Sequence, residues 1–391
     1  MSMQRKAILI TYPTEQVMRE AASLAAAAGY DIETIVNQKH ITKSKFGLGS
    51  GKAQELKEIV NHCKPDVLIF DEVLKPTQQY NLASLCKLEV IDRERLILEI
   101  FDRRASTAES KIQIKLAQLR YDMIRAREKV RLAKTGEQPG FFGMGKYDAD
   151  VYYLDIRKRA ASLKTRLLKE ETRREIHRMQ RHRSGLATVS IAGYTSAGKT
   201  SLFNTLTGES KNVGQGLFTT LSTSTRAINL GKNRILISDT VGFISKLPAY
   251  MIDAFRSTLN ELTYSALVLL VLDISEPIKY IKRKLASSIV SLNELNVPMS
   301  KVIYILNKTD LIPSGDVFEK ANQLGIDNHN THMLAISANT GHNINQLEKL
   351  MERLLFVHDT KSTLFQFNCR QDDSTCRKNY IQSNLAISHN I

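Results

Sequence analysis

Three features of the 391-residue sequence predict an α/β protein built on parallel sheets. Short apolar runs alternate with helix-like stretches through the first hundred residues. A second alternating region begins near residue 187 with a strand, a glycine-rich loop and a helix start. Between them lie two long segments with apolar residues at helical spacing, broken by glycine and proline. This pattern divides the chain into a small parallel α/β domain over 1–105 and a basic coiled-coil hairpin over 106–183. A second α/β domain follows over 184–360, then a polar tail over 361–391.

In the first region Lys6–Ile10, Asp31–Val36, Asp66–Asp71 and Glu89–Asp92 read as strands. Thr14–Ala28, Ala53–Cys63 and Gln78–Lys87 read as helices between them. Strands joined by helices pair in parallel. No catalytic constellation stands out here, so a regulatory or docking domain is the expectation.

In the second region Ile112, Leu116, Leu119, Met123, Ala126 and Val130 recur at steps of three and four, then Ile156, Ala160, Leu163 and Leu167. These are narrow seams of the coiled-coil kind. The break Gly136–Gly145 turns the chain, giving an antiparallel hairpin. A first helix from Ser106 to Thr135 would be about 45 Å long. Its expected tip carries Phe141, Phe142 and Met144. Residues 103–183 hold 22 Lys and Arg against 10 Asp and Glu, a net of +12 within a chain total of +15. Charge so localised, with aromatics at the tip, suits RNA.

The third region carries the chemistry. Thr188–Ala192 reads as a strand and Ser201–Thr207 as a helix start. Between them Gly193, Tyr194, Thr195, Ser196, Ala197, Gly198, Lys199 and Thr200 fit the phosphate-binding pattern G-x-x-x-x-G-K-[ST]. Strand, loop and helix in that order make the motif specific. Lys199 can reach β- and γ-phosphates, and the Thr200 hydroxyl can ligate Mg²⁺. The run Phe46–Ala53 is also glycine-rich, but Phe46 and Ala53 stand where the pattern needs Gly and a hydroxyl; it is expected to be a loop.

Four further segments follow in order. In the polar stretch Gly216–Ser222, Thr220 is the candidate to close over Mg²⁺, with Thr219 the near alternative. Asp239, Thr240, Val241 and Gly242 form D-x-x-G: Asp239 would hold Mg²⁺ through water, and the Gly242 N–H would meet the γ-phosphate. Asn307, Lys308, Thr309 and Asp310 form N-K-x-D after an apolar strand. Its carboxylate matches two donors that guanine has and adenine lacks, N1–H and the 2-amino group. Ser337, Ala338 and Asn339 would support the base edge. These segments predict a P-loop GTPase domain preceded by the small α/β domain and the hairpin. Lys199, Thr220 and Gly242 are the expected catalytic groups. Phe243 stands where many GTPases place a water-orienting Gln, so hydrolysis is expected to be slow without a partner.

Four scattered cysteines, Cys63, Cys86, Cys369 and Cys376, show no zinc spacing and suit a reducing compartment. No apolar stretch reaches membrane-spanning length. A cytoplasmic monomer is expected, with a tail that builds no core.

The run Asp239–Pro248 with Ala254–Leu259, the N-K-x-D segment and the hairpin resemble the HflX family of ribosome-associated GTPases. Lys75–Leu82, Val90–Arg93, Leu98–Ala105 and Glu109–Tyr121 resemble the family's N-terminal half. The likeness spans roughly residues 5–357. It implies a Mg²⁺-dependent GTPase on the large ribosomal subunit that rescues or splits stalled ribosomes. By the family pattern Thr200 and Thr220 ligate Mg²⁺. The P-loop, Phe218, Thr219, Thr220, Leu221, Ser222, the D-x-x-G segment, the N-K-x-D segment and Ser337–Asn339 would line GTP. The short hairpin turn and short polar tail depart from longer members. A GTP-gated RNA- or protein-binding module in ribosome assembly is the alternative; a P-loop kinase has no use for the N-K-x-D segment.

Overall fold

The computed structural model describes residues 5–41, 45–105, 107–134, 146–183, 186–209, 224–240, 242–243, 251, 256–326 and 332–356. The first sheet has four parallel strands: β1 (Arg5–Thr11), β2 (Tyr30–Asn37), β3 (Val67–Phe70) and β4 (Glu89–Asp92), in the order β2-β1-β3-β4. Its inner strands β1 and β3 are apolar on both faces because helices cover both. Ala7, Leu9, Val67 and Ile69 face helices α1 (Glu15–Ala27) and α4 (Arg93–Arg104). Ile8, Ile10, Leu68 and Phe70 face α2 (Ser50–Cys63) and α3 (Pro76–Cys86). The glycine-rich run 46–53, expected as a loop, is a turn only to Gly49 and enters α2 at Ser50. Helix α4 was not read from the sequence. It starts on Asp92, whose carboxylate caps the Arg95 N–H at 2.9 Å.

Helices α5 (Ala108–Lys134) and α6 (Lys146–Arg183) run antiparallel. Ile112 and Leu116, early in α5, meet Leu167, late in α6, while Leu119 and Ala126 meet Ile156. The periodic residues therefore form the expected seam. The expectation of a narrow seam fails for α5, which buries a second face. Ile114, Ala117 and Tyr121 pack into the core of the first sheet. The Tyr121 hydroxyl donates to Asp92 Oδ1 at 2.9 Å. Arg125 donates to Asp92 Oδ2 and to Gln79 Oε1 at 2.5 and 2.9 Å, with its guanidinium 3.2 Å from the Tyr121 ring centroid. Asp92 is fully buried, so these donors, with the Arg95 and Leu74 N–H groups, compensate a desolvated carboxylate. The hairpin base is thus fastened to the N-terminal sheet. Its expected tip, with Phe141, Phe142 and Met144, lies outside the described residues, as does the tail.

The second sheet has the order β10-β9-β8-β5-β7-β6. Its strands are β5 (Ala187–Gly193), β6 (Ser224–Leu230), β7 (Asn233–Asp239), β8 (Leu267–Asp273), β9 (Val302–Asn307) and β10 (His332–Ala335). All neighbours are parallel except the β6–β7 hairpin at the edge. Helices α7 (Lys199–Thr207), α8 (Arg256–Tyr264), α9 (Ile278–Glu294), α10 (Ser314–Gln323) and α11 (Ile344–Phe356) complete this half. Gly193, Asp239, Asp273 and Asn307 are the last residues of four parallel strands, so one edge of the sheet gathers them. Ligands of open parallel sheets bind at that edge. Among the described residues no helix is long and apolar enough to cross a membrane.

Tyr121→Phe removes one donor from the buried Asp92 carboxylate. It should lower stability by about 1–3 kcal/mol and speed amide exchange along the first half of α5. Unchanged exchange would show that the seam alone holds the helix.

Candidate nucleotide site

The P-loop leaves the sheet at Gly193, whose φ is 141°. A Cβ there would lie 2.3 Å from the Val271 carbonyl oxygen of β8, so only glycine lets the chain turn at this depth. Phe243 then clamps the turn from the β7 side. Its N–H donates to the Gly193 carbonyl and its carbonyl accepts the Thr195 N–H, both at 2.9 Å. The position after the D-x-x-G glycine is therefore bonded through its backbone to the P-loop, with its ring buried. The sequence showed only that this side chain cannot orient water.

Lys199 opens α7 and is buried. Its ammonium donates to the Tyr194 carbonyl at 2.7 Å. Burial pushes its pKa down to about 8, against the opposing pull of Asp239. A Cβ on Gly242 would stand 2.8 Å from the same ammonium, which places the D-x-x-G glycine beside the lysine. Thr200 donates its hydroxyl to Asp239 Oδ2 at 3.1 Å, and both are buried. Thr240 points away, donating to the Ile191 carbonyl at 2.7 Å.

Asn307 joins two loops. Its Nδ2 donates to the Ala197 carbonyl and its Oδ1 accepts the Ala338 N–H, both at 2.9 Å. Asp310 Oδ1 accepts the Ser337 hydroxyl at 2.6 Å. Thr205 in α7 donates to the Ala338 carbonyl at 2.7 Å. Lys308, in the left-handed region at φ 69°, reaches back to Asp273 Oδ2 at 2.5 Å. Asp273 was not singled out in the sequence; it ends the apolar strand Leu267–Asp273, and that register was the available signal.

The structure thus brings together Gly193–Thr200, Asp239, Thr240, Gly242, Asn307–Asp310 and Ser337–Asn339. Phe218, Thr219, Thr220, Leu221, Ser222 and Val241 lie outside the described residues. Among the described residues no cluster of three His, Cys, Asp or Glu side chains could hold a metal. The adjacent Thr200 hydroxyl and Asp239 carboxylate suit Mg²⁺, a hard cation that takes few protein oxygens and completes its shell with water and phosphate.

A buried lysine in a glycine-rich loop, a hydroxyl–carboxylate pair and an N-K-x-D strand end on one parallel sheet define a P-loop GTPase. Comparison with known proteins carries this to a family. The model described as "50S ribosome-binding GTPase" matches residues 188–308. Those described as "GTP-binding GTPase N-terminal" and "GTP-binding GTPase Middle Region" match 15–102 and 104–181. The GTPase HflX of Thermococcus kodakarensis is 41% identical over 342 residues, spanning 86% of this chain and 76% of that protein. The Escherichia coli GTPase HflX is 34% identical over 342 residues, spanning 86% and 79%. A crystal structure of SsGBP with GDP aligns over 90% of this chain and 98% of that one, at 29% identity and a TM-score of 0.56. The chain belongs to the HflX family of GTPases and hydrolyses GTP.

The depressed lysine yields a prediction. Below pH 8 Lys199 is charged in the folded and unfolded states alike, so at pH 7 the full penalty of burying the charge is present. It amounts to roughly 3 kcal/mol and fades as pH rises from 8 towards the unfolded value. Lys199→Met should therefore raise the melting temperature of the nucleotide-free protein while abolishing its stabilisation by GTP. A lower melting temperature without nucleotide would mean that the P-loop already compensates the charge.

Proposed function

We propose that this GTPase docks on the large ribosomal subunit and couples its nucleotide state to ribosome rescue, splitting or recycling, with Mg²⁺ bound alongside GTP. The observation that carries the docking is the +12 net charge of residues 103–183, a segment holding no part of the nucleotide site. Within it Arg157, Lys158, Lys164, Arg166 and Lys169 are exposed along about 18 Å of α6, and none forms an ion pair with a described residue. Such an array suits phosphates. The description of the matching family model, a 50S ribosome-binding GTPase, supports the same partner. Binding to immature subunits during assembly is the second reading, favoured by the same charge.

The proposed division of labour assigns docking to residues 1–183 and catalysis to 184–360. Lys199 would hold the β- and γ-phosphates and the Gly242 N–H the γ-phosphate. Thr200 and Thr220 would ligate Mg²⁺, with Asp239 acting through water; the ion would neutralise charge developing on the phosphate oxygens. Asp310 would accept from guanine N1–H and the 2-amino group, steadied by Ser337. Asn307 would keep the base loop in register with the P-loop. The Phe243 ring offers water no hydrogen bond, so the attacking water would be positioned when the ribosome completes the site.

Asp310→Asn puts a donor opposite N1–H and should weaken GTP binding by a few kcal/mol, roughly a hundredfold. Titrations with GTP and ATP test this. Equal affinity of the wild type for the two would remove the base assignment.

Deletion of the hairpin is a poor test of docking, because α5 helps to close the N-terminal core. Replacing Arg157, Lys158, Lys164, Arg166 and Lys169 with Gln leaves both buried faces intact. This variant should lose most co-sedimentation with large subunits, flatten its salt dependence and lose subunit-stimulated hydrolysis, while keeping its basal rate. Release of free subunits from intact ribosomes marks splitting, and binding confined to immature particles marks assembly. Co-sedimentation at wild-type strength would place the docking surface elsewhere.

A further inference from the structure

We infer that the crevice between the N-terminal sheet and α9 is a second ligand site, which takes a small phosphate-bearing molecule with hydroxyl groups. The order of the first sheet is β2-β1-β3-β4. Helix α1 leaves β1 for one face of it, and α3 leaves β3 for the other. The carboxyl ends of β1 and β3 therefore part at a topological switch point, where open parallel sheets bind ligands. A cavity of about 560 Å³ opens there, within the size range of small-molecule sites. Every strand of the sheet sends a residue to it from just past its carboxyl end: Tyr12 after β1, Lys39 after β2, Asp71 after β3 and Arg93 after β4. Tyr194 and α9 form the wall on the GTPase side.

The two ends of the cavity differ in charge. At the inner end Arg93 is buried and paired with Asp71 and, at 2.6 Å, with Glu20. Two carboxylates against one guanidinium leave this end at a net of −1, which disfavours a phosphate there. Thr11 donates its hydroxyl to Asp71 at 2.8 Å. A carboxylate accepts about four hydrogen bonds, so Asp71 would also take hydroxyl donors from a ligand. Buried ion pairs add little stability over apolar packing, so stability alone does not account for this group. The mouth is cationic. Lys39 and Arg283 line it, both exposed and neither paired with a described residue. Lys284, on the same wall, is already held by both carboxylate oxygens of Glu276, at 2.5 and 2.7 Å. Lys39 and Arg283 are thus the cations left for a phosphate. A ligand would enter with its hydroxyls towards Asp71 and its phosphate at the mouth.

The test is calorimetric titration of the full-length chain, saturated with GDP, against ribose 5-phosphate and against inorganic phosphate. Ribose 5-phosphate should bind with a Kd of about 1 mM or below, the range for a ligand of its size. Inorganic phosphate, too small to span the mouth and the inner end, should bind about tenfold or more weakly. Lys39→Gln with Arg283→Gln should weaken ribose 5-phosphate by about tenfold or more. Ser287→Phe fills the cavity from α9 while keeping every charge, and should do the same. Both variants should keep wild-type GDP affinity, which shows that they fold. Lys199→Met, titrated without GDP, should bind ribose 5-phosphate as the wild type does, because the P-loop is not the site. Wild-type affinity for ribose 5-phosphate in either cavity variant, or its loss in Lys199→Met, would overturn the site. Equal affinity for the two probes would leave only an anion patch at the mouth and overturn the ligand class. A wild-type chain that binds no ribose 5-phosphate would overturn both.

Discussion

Gly193 sets the geometry on which the phosphate site depends. Strand β5 runs between β7 and β8, and its chain must leave the sheet while still level with Val271. The 2.3 Å approach of a would-be Cβ to the Val271 oxygen leaves room for a hydrogen and nothing larger. Turning at this depth exposes the Gly193 carbonyl to Phe243, and the second bond, from Thr195, returns the loop over the strand end. Ala197 then lies within reach of Asn307, and Ala338 bonds the same amide from the other side. One missing side chain fixes the spacing of three strand ends, and hydrogen bonds carry the register onward.

The molecule uses positive charge in two opposite ways. Lys199 is buried where its charge is disfavoured, a cost that an anionic ligand would offset. The α6 cations remain in water, where each interaction is individually weak and screened by salt. The first arrangement gives strong local affinity in a small space. The second would suit long-range attraction to an extended polyanion. A net charge counted over the whole chain cannot separate them; the distribution along the sequence can.

The parallel architecture was legible because β1, β3, β5 and β9 are apolar runs, as strands buried on both faces must be. The hairpin seam was legible from its three- and four-residue steps. The site was legible where motif residues end those strands. What escaped depends on contacts between distant elements. Ile114, Ala117 and Tyr121 are offset from the seam, and their burial follows only once α4 lies alongside. Helix α4 itself was hidden because it starts directly from β4, with no turn residues to mark the boundary. The Lys308–Asp273 pair spans two strands 35 positions apart, and Lys284 sits on a helix that no motif touches. The backbone bonds of Phe243 could not be read from its side chain, because they belong to the path of the chain.

Asp92 and Arg93 give the N-terminal half a structural continuity that neither domain composition nor motif order suggests. Asp92 takes the donors of Tyr121 and Arg125 and so holds the hairpin. Its neighbour Arg93 is buried against Asp71 and Glu20, and it lines the cavity opposite Tyr194. Adjacent backbone positions therefore meet the hairpin on one side and the P-loop wall on the other. Because buried ion pairs tolerate little change in geometry, a tilt of α5 large enough to move Asp92 must also displace Arg93 or break its pairing. A closely packed core transmits such a displacement rather than absorbing it. A force on α6 would pass through the seam to α5, then through Asp92 and Arg93 to the cavity wall.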